Sequence, residues 1–271
     1  MTRAALIILF VLLLAPVYWM FTGSLQDSYG VFMMPPRIFP RHPTLINYGR
    51  LLGQSAVPRW ALNTVLTVVL SVTLSVGLSV TAGYAFAFYQ FPAKRLLWMF
   101  LLAGIMIPRI SVVVPLFVVI HKLQISGTLT AVILATGLSP VGMFLARTYF
   151  ASVPRSVLES ARIDGANEVQ VLFRIVVPVS RPIITALALF ASIASLQDYM
   201  WQMLILQRPN VQTLLVGLTR AIMTRGGTAS GTNLNPIGQA LAAGVILLLP
   251  LIVIFAVANK YFTTVLGGAE K

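Results

Sequence analysis

Long apolar runs alternate with polar segments along the whole chain. A transmembrane helix needs about 20 mainly apolar residues to cross the hydrocarbon core of a bilayer. Six runs predict such spans, at residues 4–21, 60–89, 96–120, 129–146, 182–206 and 237–258. The first run resembles a signal peptide, but Trp19 near its end and the lack of an A-x-A cleavage site favour a retained span. The pattern therefore predicts an all-α membrane protein with one transmembrane domain over residues 1–271.

The predicted spans contain two charged residues, Arg109 and Asp198. Ionisable groups at membrane depth are costly and face the bundle interior or a cavity, so a functional role is the default hypothesis for both. The alternative for Arg109 is that its side chain extends to the outer interface. Pro108 and Pro115 lie in the same run, and they fit a span that bends around a cavity.

Further polar and aromatic residues in the spans are candidates for a solute path, because amides and aromatic faces are typical of sugar recognition. Together with Arg109 and Asp198, these candidates are Asn63, Gln197, Tyr199, Trp201, Gln202 and Gln239. Each one alone is more often an interhelical hydrogen bond or an interface anchor. The two histidines, His42 and His121, fall in separate loops far from any acidic cluster, so no metal or catalytic site is predicted.

Composition indicates that lipid is the solvent of this chain. Hydrophobic residues make up 58% of the chain and charged residues 9%, whereas a soluble domain carries about 25% charged residues. The net charge of +13 fits basic residues that meet anionic headgroups at the membrane edges better than it fits a nucleic-acid partner. The absence of cysteine excludes disulfides and thiolate metal sites.

Basic residues near the span ends predict the orientation. Ten lie on one predicted side and eight on the other, and the ten sit in shorter loops. The first set is Arg3, Lys94, Arg95, Arg147, Arg155, Arg162, Arg174, Arg181, Lys260 and Lys271, and the second is Arg37, Arg41, Arg50, Arg59, Lys122, Arg208, Arg220 and Arg225. This bias places both termini and the polar segment 147–181 in the cytoplasm.

Segment 147–181 predicts two short helices joined by a turn. Pro154 suits a first helical turn and Gly165 suits the positive-φ position that ends a helix. A second helical run, residues 168–176, is expected to stop at Pro178. An ion pair between Glu159 and Arg162 is expected at the i,i+3 spacing. The small residues Ser160, Ala161, Gly165 and Ala166 are expected to let another surface approach closely.

Two uses of this element are open. One is an interfacial helix that rests on lipid headgroups. The other is a rigid lever that seats in another protein and moves the spans attached to it. Small residues on the expected outer face, where a membrane-surface helix would carry Trp or Phe, favour the lever.

The same segment resembles the EAA loop of binding-protein-dependent ABC importer permeases. That loop reads E-A-A-x-x-x-G and, after nine residues, I-x-L-P. The matching residues here are Glu159, Ser160, Ala161, Gly165, Ile175 and Pro178, with Ser160 in place of the first Ala and Val177 in place of Leu. We call residues 147–181 the coupling segment from here on.

The resemblance extends over nearly the whole chain and is closest to sugar-importer permeases of the maltose type. It is carried by FTGSLQD, TLINYGRLL, LNTVLTVVLS, AGYAFAFYQFPAKR, PRSVLESARIDGANEVQVLFRIVVPVSRP and NKYFTTVLGGAEK. Gln197 and Asp198 stand where the family often has a Trp-Asn pair, which leaves the substrate open between sugars and glycerol phosphate or its diesters.

The resemblance implies a type I ABC importer permease fold, with six transmembrane helices and a cytoplasmic coupling helix. It implies a non-enzymatic permease subunit in a bacterial or archaeal inner membrane, forming half of the path for a sugar or sugar-like solute. Its partners would be a homologous second permease, an ABC ATPase dimer that binds ATP and Mg, and an extracytoplasmic solute-binding protein docking on loops 23–59 and 207–236. No cofactor is expected in this chain. The implied ATPase-coupling residues are Glu159, Ser160, Ala161, Asp164, Gly165 and Ala166.

Two other classes of function are alternatives. A self-sufficient channel or ion-coupled secondary transporter would use Arg109 and Asp198 as its coupling pair, but the sequence shows no clear inverted repeat. A membrane-embedded enzyme would need a nucleophile–base pair or metal ligands in the bilayer, which the sequence does not supply convincingly. The chain also lacks the G-x-x-x-x-G-K loop that binds nucleotide phosphates.

Overall fold

The structure is a computed structural model, and it describes residues 2–26, 39–53, 56–226 and 236–266. Every regular element in these ranges is helical, as the long apolar runs predict. The helices are α1 Thr2–Ser24, α2 Ile46–Leu52, α3 Val57–Phe88, α4 Lys94–Met106, α5 Arg109–Lys122, α6 Leu129–Gly137, α7 Pro140–Phe150, α8 Arg155–Ile163, α9 Glu168–Gln170, a π-helix Val171–Val176, α10 Val177–Val179, α11 Arg181–Gln197, α12 Tyr199–Ile205, a 3-10 helix Pro209–Val211, α13 Leu214–Gly226 and α14 Pro236–Leu266.

Three stretches of the described residues are long and apolar enough to cross a membrane, namely Val57–Phe88, Leu129–Phe150, which comprises α6 and α7, and Ile237–Ala256. They coincide with the predicted spans 60–89, 129–146 and 237–258. Two bent helix pairs raise the number to five if each pair is one span. The predicted first span lies within α1, which is helical over Thr2–Ser24. The total of six spans stays a prediction.

The predicted span 96–120 is two helices that meet at 110°. The break lies at Ile107 and Pro108, and Ile107 has an extended backbone. Proline lacks an amide hydrogen and disfavours helical geometry in the residue before it, so α4 ends there. Pro115, by contrast, lies inside α5 without ending it. The sequence predicts a bend here, and the structure shows that it is sharp.

The expected stop at Pro178 is wrong. The helical run Glu168–Val179 passes through this residue, and an 84° bend follows between Val179 and Arg181. A π-helix covers Val171–Val176, and Pro178 then lies in the first turn of α10. Proline is tolerated in a first helical turn, which is why it does not end the run.

The chain divides into two compact units, and the first comprises Met1–Asn63 and Arg208–Ile252. Its buried cluster contains Leu51, Val57, Trp60, Leu214, Leu218, Ala242 and Ala243. The Trp60 indole donates to the Pro209 carbonyl oxygen at 2.8 Å. Asn47 is fully buried, and its amide donates to the carbonyl oxygens of Ser24 at 2.8 Å and Gln26 at 2.9 Å. Asn47 thereby fixes α2 to the end of α1.

The second unit comprises Thr64–Gln207 and Val253–Lys271. In it α4 and α11 pack against α7, α11 and α12 pack against α6, and α8 packs against the π-helix. Gly83 of α3 permits a close approach to α7, because a side chain there would lie 2.6 Å from the Ala146 Cβ and 2.9 Å from the Arg147 backbone nitrogen. Most residues of the sequence-predicted coupling and solute sites lie in this unit.

Candidate functional site

The turn between the two helices of the coupling segment is a Schellman motif. The Ala166 amide donates to the Ala161 carbonyl at 3.0 Å, and the Gly165 amide donates to the Arg162 carbonyl at 3.1 Å. Gly165 has φ +84°, a conformation that side chains disfavour. The predicted positive-φ glycine is therefore confirmed.

The second helix of the coupling segment begins with a capping box. The Gln170 amide donates to the Asn167 side-chain oxygen, and the Asn167 amide donates to the Gln170 side-chain oxygen, both at 2.9 Å. Each side chain thus satisfies a backbone amide at the helix start that has no partner within the helix. The N-x-x-Q spacing is visible in the sequence, and our sequence reasoning missed it.

The inner face of the coupling segment is part of a buried apolar cluster. The cluster contains Leu158, Ala161, Val171, Leu172 and Val176 of this segment, together with Val153 of the turn before α8. It also contains Val80 and Tyr84 of α3, Ala146 and Phe150 of α7, and Leu187 of α11. Ala161 is 8% exposed, and Ala166 is half-buried against the same cluster. The expectation that Ala161 opens to another surface is therefore wrong, because it lies one turn after Leu158 on the inward face.

The outer face of the coupling segment carries both polar and apolar groups. Glu159, Ser160, Asp164 and Gly165 are exposed. Large apolar side chains are exposed beside them, namely Val157, Ile163, Val169 and Phe173, and Ile163 is 86% exposed. The sequence predicts small residues on this face in place of the Trp or Phe of a membrane-surface helix, and the exposed Phe173 departs from that prediction. The structure shows that this face also has an apolar component.

A polar network ties the coupling segment to the end of α3. The Tyr84 hydroxyl donates to Glu168 Oε2 at 2.8 Å. The Arg162 guanidinium donates to Glu168 Oε1 at 2.9 Å and to Oε2 at 3.2 Å. The expected pairing of Arg162 with Glu159 is wrong, because the turn at Gly165 brings Glu168 next to Arg162. Sequence spacing within one helix does not reveal such a contact.

The same network holds Glu168 in its charged form. Hydrogen bonds from Tyr89, Arg162 and Tyr84 favour the carboxylate and lower the pKa of Glu168 below its usual 4.5. The carboxylate in turn raises the pKa of Arg162. Glu168 therefore carries a negative charge at neutral pH, between a cation and the aromatic end of α3.

Arg109 and Asp198, the two charges inside predicted spans, form an ion pair. Arg109 Nη2 donates to Asp198 Oδ2 at 2.5 Å. The Asp198 side chain is 9% exposed and the Arg109 side chain 55% exposed. Arg109 opens α5 and Asp198 separates α11 from α12, so both charges sit at helix breaks.

A cavity of about 680 Å³ opens beside this ion pair. It is bounded by the bend between α4 and α5, the break between α6 and α7, and one face of α11. Its lining is mainly apolar, and it includes Arg109 and Trp201 together with Ser75, Thr136 and Ser139. Such a volume is in the range of known small-molecule sites. Arg109 is the charged group among these lining residues.

The other path candidates lie elsewhere in the described structure. Asp198 pairs with Arg109, which lines the cavity, but Asp198 itself does not line it. Gln197 is exposed and Tyr199 is half-buried, and neither of them lines the cavity. Gln202 is buried, and its side chain donates to the Ser195 carbonyl at 2.7 Å. Asn63 and Gln239 belong to the first unit and are buried. The Asn63 amide donates to the carbonyl oxygens of Asn210 and Gln212, at 3.1 and 2.8 Å.

Known proteins resemble this chain over its whole length. Residues 75–264 match the family described as "Binding-protein-dependent transport system inner membrane component". The chain is 29% identical over 277 residues to the arabinooligosaccharides transport system permease protein AraQ of Bacillus subtilis, covering 99% of this chain and 96% of that protein. It is 28% identical to the sn-glycerol-3-phosphate transport system permease protein UgpE of Yersinia pestis, covering 98% of this chain and 95% of that protein.

A solved structure has the same fold. It is titled as a bacterial ABC transporter involved in the import of the acidic polysaccharide alginate, and one of its chains matches with a TM-score of 0.84 and 23% identity. The match covers 96% of this chain and 95% of that chain. The predicted permease fold is therefore confirmed. The family match spans most of the chain, including the coupling segment and the cavity described above. The chain belongs to the family of binding-protein-dependent transport system inner membrane components.

Proposed function

We propose that this permease forms half of the translocation path of an ATP-driven importer for a sugar or sugar-like solute. In this proposal a homologous second permease completes the path and a pair of ABC ATPases binds ATP and Mg. An extracytoplasmic binding protein delivers the solute. The termini and the coupling segment lie in the cytoplasm, as the excess of basic residues on that side favours.

The observation that carries the proposal is the attachment of the coupling segment to three helices. Its inner face is buried against α3, α7 and α11. The Tyr84–Glu168–Arg162 network adds a polar connection to the end of α3. Close-packed contacts transmit displacement with little loss. Pressure of an ATPase on α8 would therefore move the helices that bound the cavity.

The outer face of the coupling segment is the proposed contact with the ATPase. Glu159, Ser160 and Asp164 supply polar groups, and Ile163 supplies an apolar anchor beside them. An apolar centre with a polar rim is the usual anatomy of a protein interface. Gly165 and Ala166 shape the turn, and Ala161 supports it from inside.

The proposed solute class follows from the relatives and from the cavity. The relatives are named for arabino-oligosaccharides, galacto-oligosaccharides and sn-glycerol 3-phosphate. The cavity offers apolar walls, three hydroxyl groups, the Trp201 side chain and the Arg109 guanidinium. Hydroxyl and guanidinium groups bind sugar hydroxyls, and a guanidinium also binds phosphate. A sugar or a glycerol phosphate therefore fits this lining.

Reconstitution tests the proposed function. The chain is co-produced with its second permease, its ATPase and its binding protein, and the complex is placed in proteoliposomes. We expect the complex to take up a solute of one of the three classes named above. This uptake should require both ATP and the binding protein. The chain alone serves as the control and should transport nothing. Uptake by the chain alone would instead support a self-sufficient transporter that uses the Arg109–Asp198 pair.

A further inference from the structure

A cleft of about 460 Å³ lies where α3 turns into α4. We call it the basic cleft, and it is lined by Phe86, Phe91, Lys94, Arg95, Trp98 and Arg147. Phe86 lies near the end of α3 and Phe91 in the following turn. Lys94, Arg95 and Trp98 belong to the first turns of α4, and Arg147 belongs to α7. Three cations thus share one small space with three aromatic rings.

The walls of the basic cleft are held in place by ring contacts. The Arg147 guanidinium carbon lies 4.8 Å from the centre of the Trp98 ring, which is a cation–π contact. Phe86 packs on Trp98 at 5.3 Å and on Phe91 at 5.5 Å between ring centroids. Ala93 in the turn has φ 59°, which is uncommon for a residue other than glycine and fixes the start of α4. The site is therefore preformed.

The positive charge of the basic cleft is not neutralised within the described residues. The two ion pairs found there, Arg109–Asp198 and Arg162–Glu168, involve none of its cations. Arg147 Nε is buried without a hydrogen-bond partner. Lys94 Nζ donates to the Tyr89 carbonyl oxygen at 2.6 Å, which leaves its other protons available. Burial, with Arg147 and Arg155 nearby, lowers the pKa of Lys94. An anion in the cleft would relieve this repulsion.

The surroundings of the basic cleft favour a lipid as the source of the anion. Helix α4 buries none of its residues in this chain. Leu96, Leu97, Met99 and Phe100, which follow the two cations directly, are each about half exposed or more. A membrane-edge Trp and adjacent basic residues are typical of the headgroup level. An anion bound here would have an apolar helix surface beside it, along which acyl chains can lie.

We propose that the basic cleft binds the phosphate of an anionic phospholipid in the cytoplasmic leaflet. Lys94 and Arg147 contact the phosphate, Arg95 adds long-range attraction, and Trp98 packs against the glycerol and upper acyl region. Basic pockets between helices on the cytoplasmic side are a recognised way to hold such headgroups. The assignment to the cytoplasmic leaflet rests on the orientation proposed above, whereas binding itself does not.

The test is lipid binding by the purified, delipidated transporter complex. Short-chain phosphatidylglycerol is titrated in detergent, and bound lipid is counted by native mass spectrometry, with phosphatidylcholine of equal chain length as reference. We expect selective retention of phosphatidylglycerol. Removing two charges in Lys94→Gln/Arg147→Gln should weaken that binding about 25-fold, since each basic residue near an anionic surface contributes about a factor of five.

Matched variants separate this site from general charge effects. Arg174→Gln/Arg181→Gln removes two exposed cations from the same predicted side, outside the cleft, and should leave the affinity within about twofold of wild type. If Lys94→Gln/Arg147→Gln fails to fold, Lys94→Gln/Arg95→Gln tests the same site without altering the Trp98 contact.

Three results would overturn the proposal. They are equal retention of phosphatidylcholine, equal loss in the Arg174/Arg181 variant, and displacement of the lipid by millimolar inorganic phosphate, which would indicate a site for a free anion only. The readout requires neither ATP hydrolysis nor uptake. Failure of lipid binding is therefore distinguishable from failure of the proposed transport function.

Discussion

At the scale of single residues, the partners in the ion pairs of this permease cannot be predicted from their spacing in the sequence. Arg109 and Asp198 are 89 positions apart and still form an ion pair. Arg162 bonds Glu168 across a turn instead of its helical neighbour Glu159. Each of the carboxylates in these pairs thus has a guanidinium partner. The Asp198 side chain is 9% exposed, and a carboxylate so nearly buried is costly without its cation.

We expect the Arg109–Asp198 pair to show strong coupling in stability. Arg109→Gln leaves the Asp198 carboxylate, which is 9% exposed, without its cation. We expect the free energy of unfolding to fall by about 1–3 kcal/mol. This is less than for a fully buried pair, because the Arg109 side chain is 55% exposed to solvent that screens its charge. Arg109→Gln/Asp198→Asn should recover most of that loss. Thermal unfolding of the purified complex measures both. Additive losses in the double variant would show that the two side chains do not interact.

At the scale of elements, the coupling segment is specified by several local motifs. A Schellman motif ends α8, a capping box starts the next helical run, and a π-helix carries that run through Pro178. Its inner face is apolar and its outer face mixed. The two short helices consequently form a rigid unit whose conformation depends on one glycine and one carboxylate.

Gly165→Ala should destabilise this unit by about 1–2 kcal/mol, because an alanine at φ +84° is strained. Gly77→Ala is the matched control, since Gly77 lies in the middle of α3 with open space around it and a negative φ. That change should be neutral or stabilising by up to about 1 kcal/mol. Hydrogen exchange of the α8 amides measures local stability in both variants. Equal protection in the two would contradict the role of the turn.

Glu168 should make stability depend on acid pH. Its pKa is lowered in the folded state, so its stabilising effect is complete above the usual value of 4.5 and is lost as pH falls through the folded pKa. Glu168→Gln should therefore lower the Tm at pH 7 and converge with wild type at a pH below the folded pKa. Tyr84→Phe removes one donor and should show a smaller difference. A constant Tm difference at all pH values would argue against the ionised network.

At the scale of the whole molecule, the proposed function depends on a mechanical connection between the coupling segment and the cavity. Both lie in the second compact unit, and α3, α7 and α11 contribute to both. A movement of the coupling segment is thus a movement of helices that bound the cavity. In the proposed function, the ATPase contacts the exposed residues of α8.

Glu159→Lys should uncouple transport from ATP hydrolysis in the reconstituted complex. Glu159 is exposed, and reversal of its charge should reduce substrate-stimulated hydrolysis about tenfold while assembly into the membrane stays normal. Ser152→Lys adds the same cation at an exposed position outside α8 and serves as the control. Wild-type coupling in Glu159→Lys would count against ATPase contact at this residue.

Much of the fold could be predicted because its causes are local. Apolar runs of bilayer length predict the helices α3 and α14. Pro108 predicts the break between α4 and α5, and Gly165 predicts the turn after α8. The EAA-like spacing, taken with the predicted spans and the resemblance over nearly the whole chain, predicted the family. The Asn167–Gln170 capping box was equally local, so the sequence held that signal as well.

The tertiary structure alone decided which distant residues meet. Nothing in the local sequence pairs Arg109 with Asp198, brings Tyr84 to Glu168, or places Arg147 over the ring of Trp98. It also decided that Ala161 faces inward and Ile163 outward. Hydrophobic length and backbone preferences act within a few residues of chain. The choice of partners depends on how helices pack, and that packing minimises free energy over the whole unit rather than along the sequence.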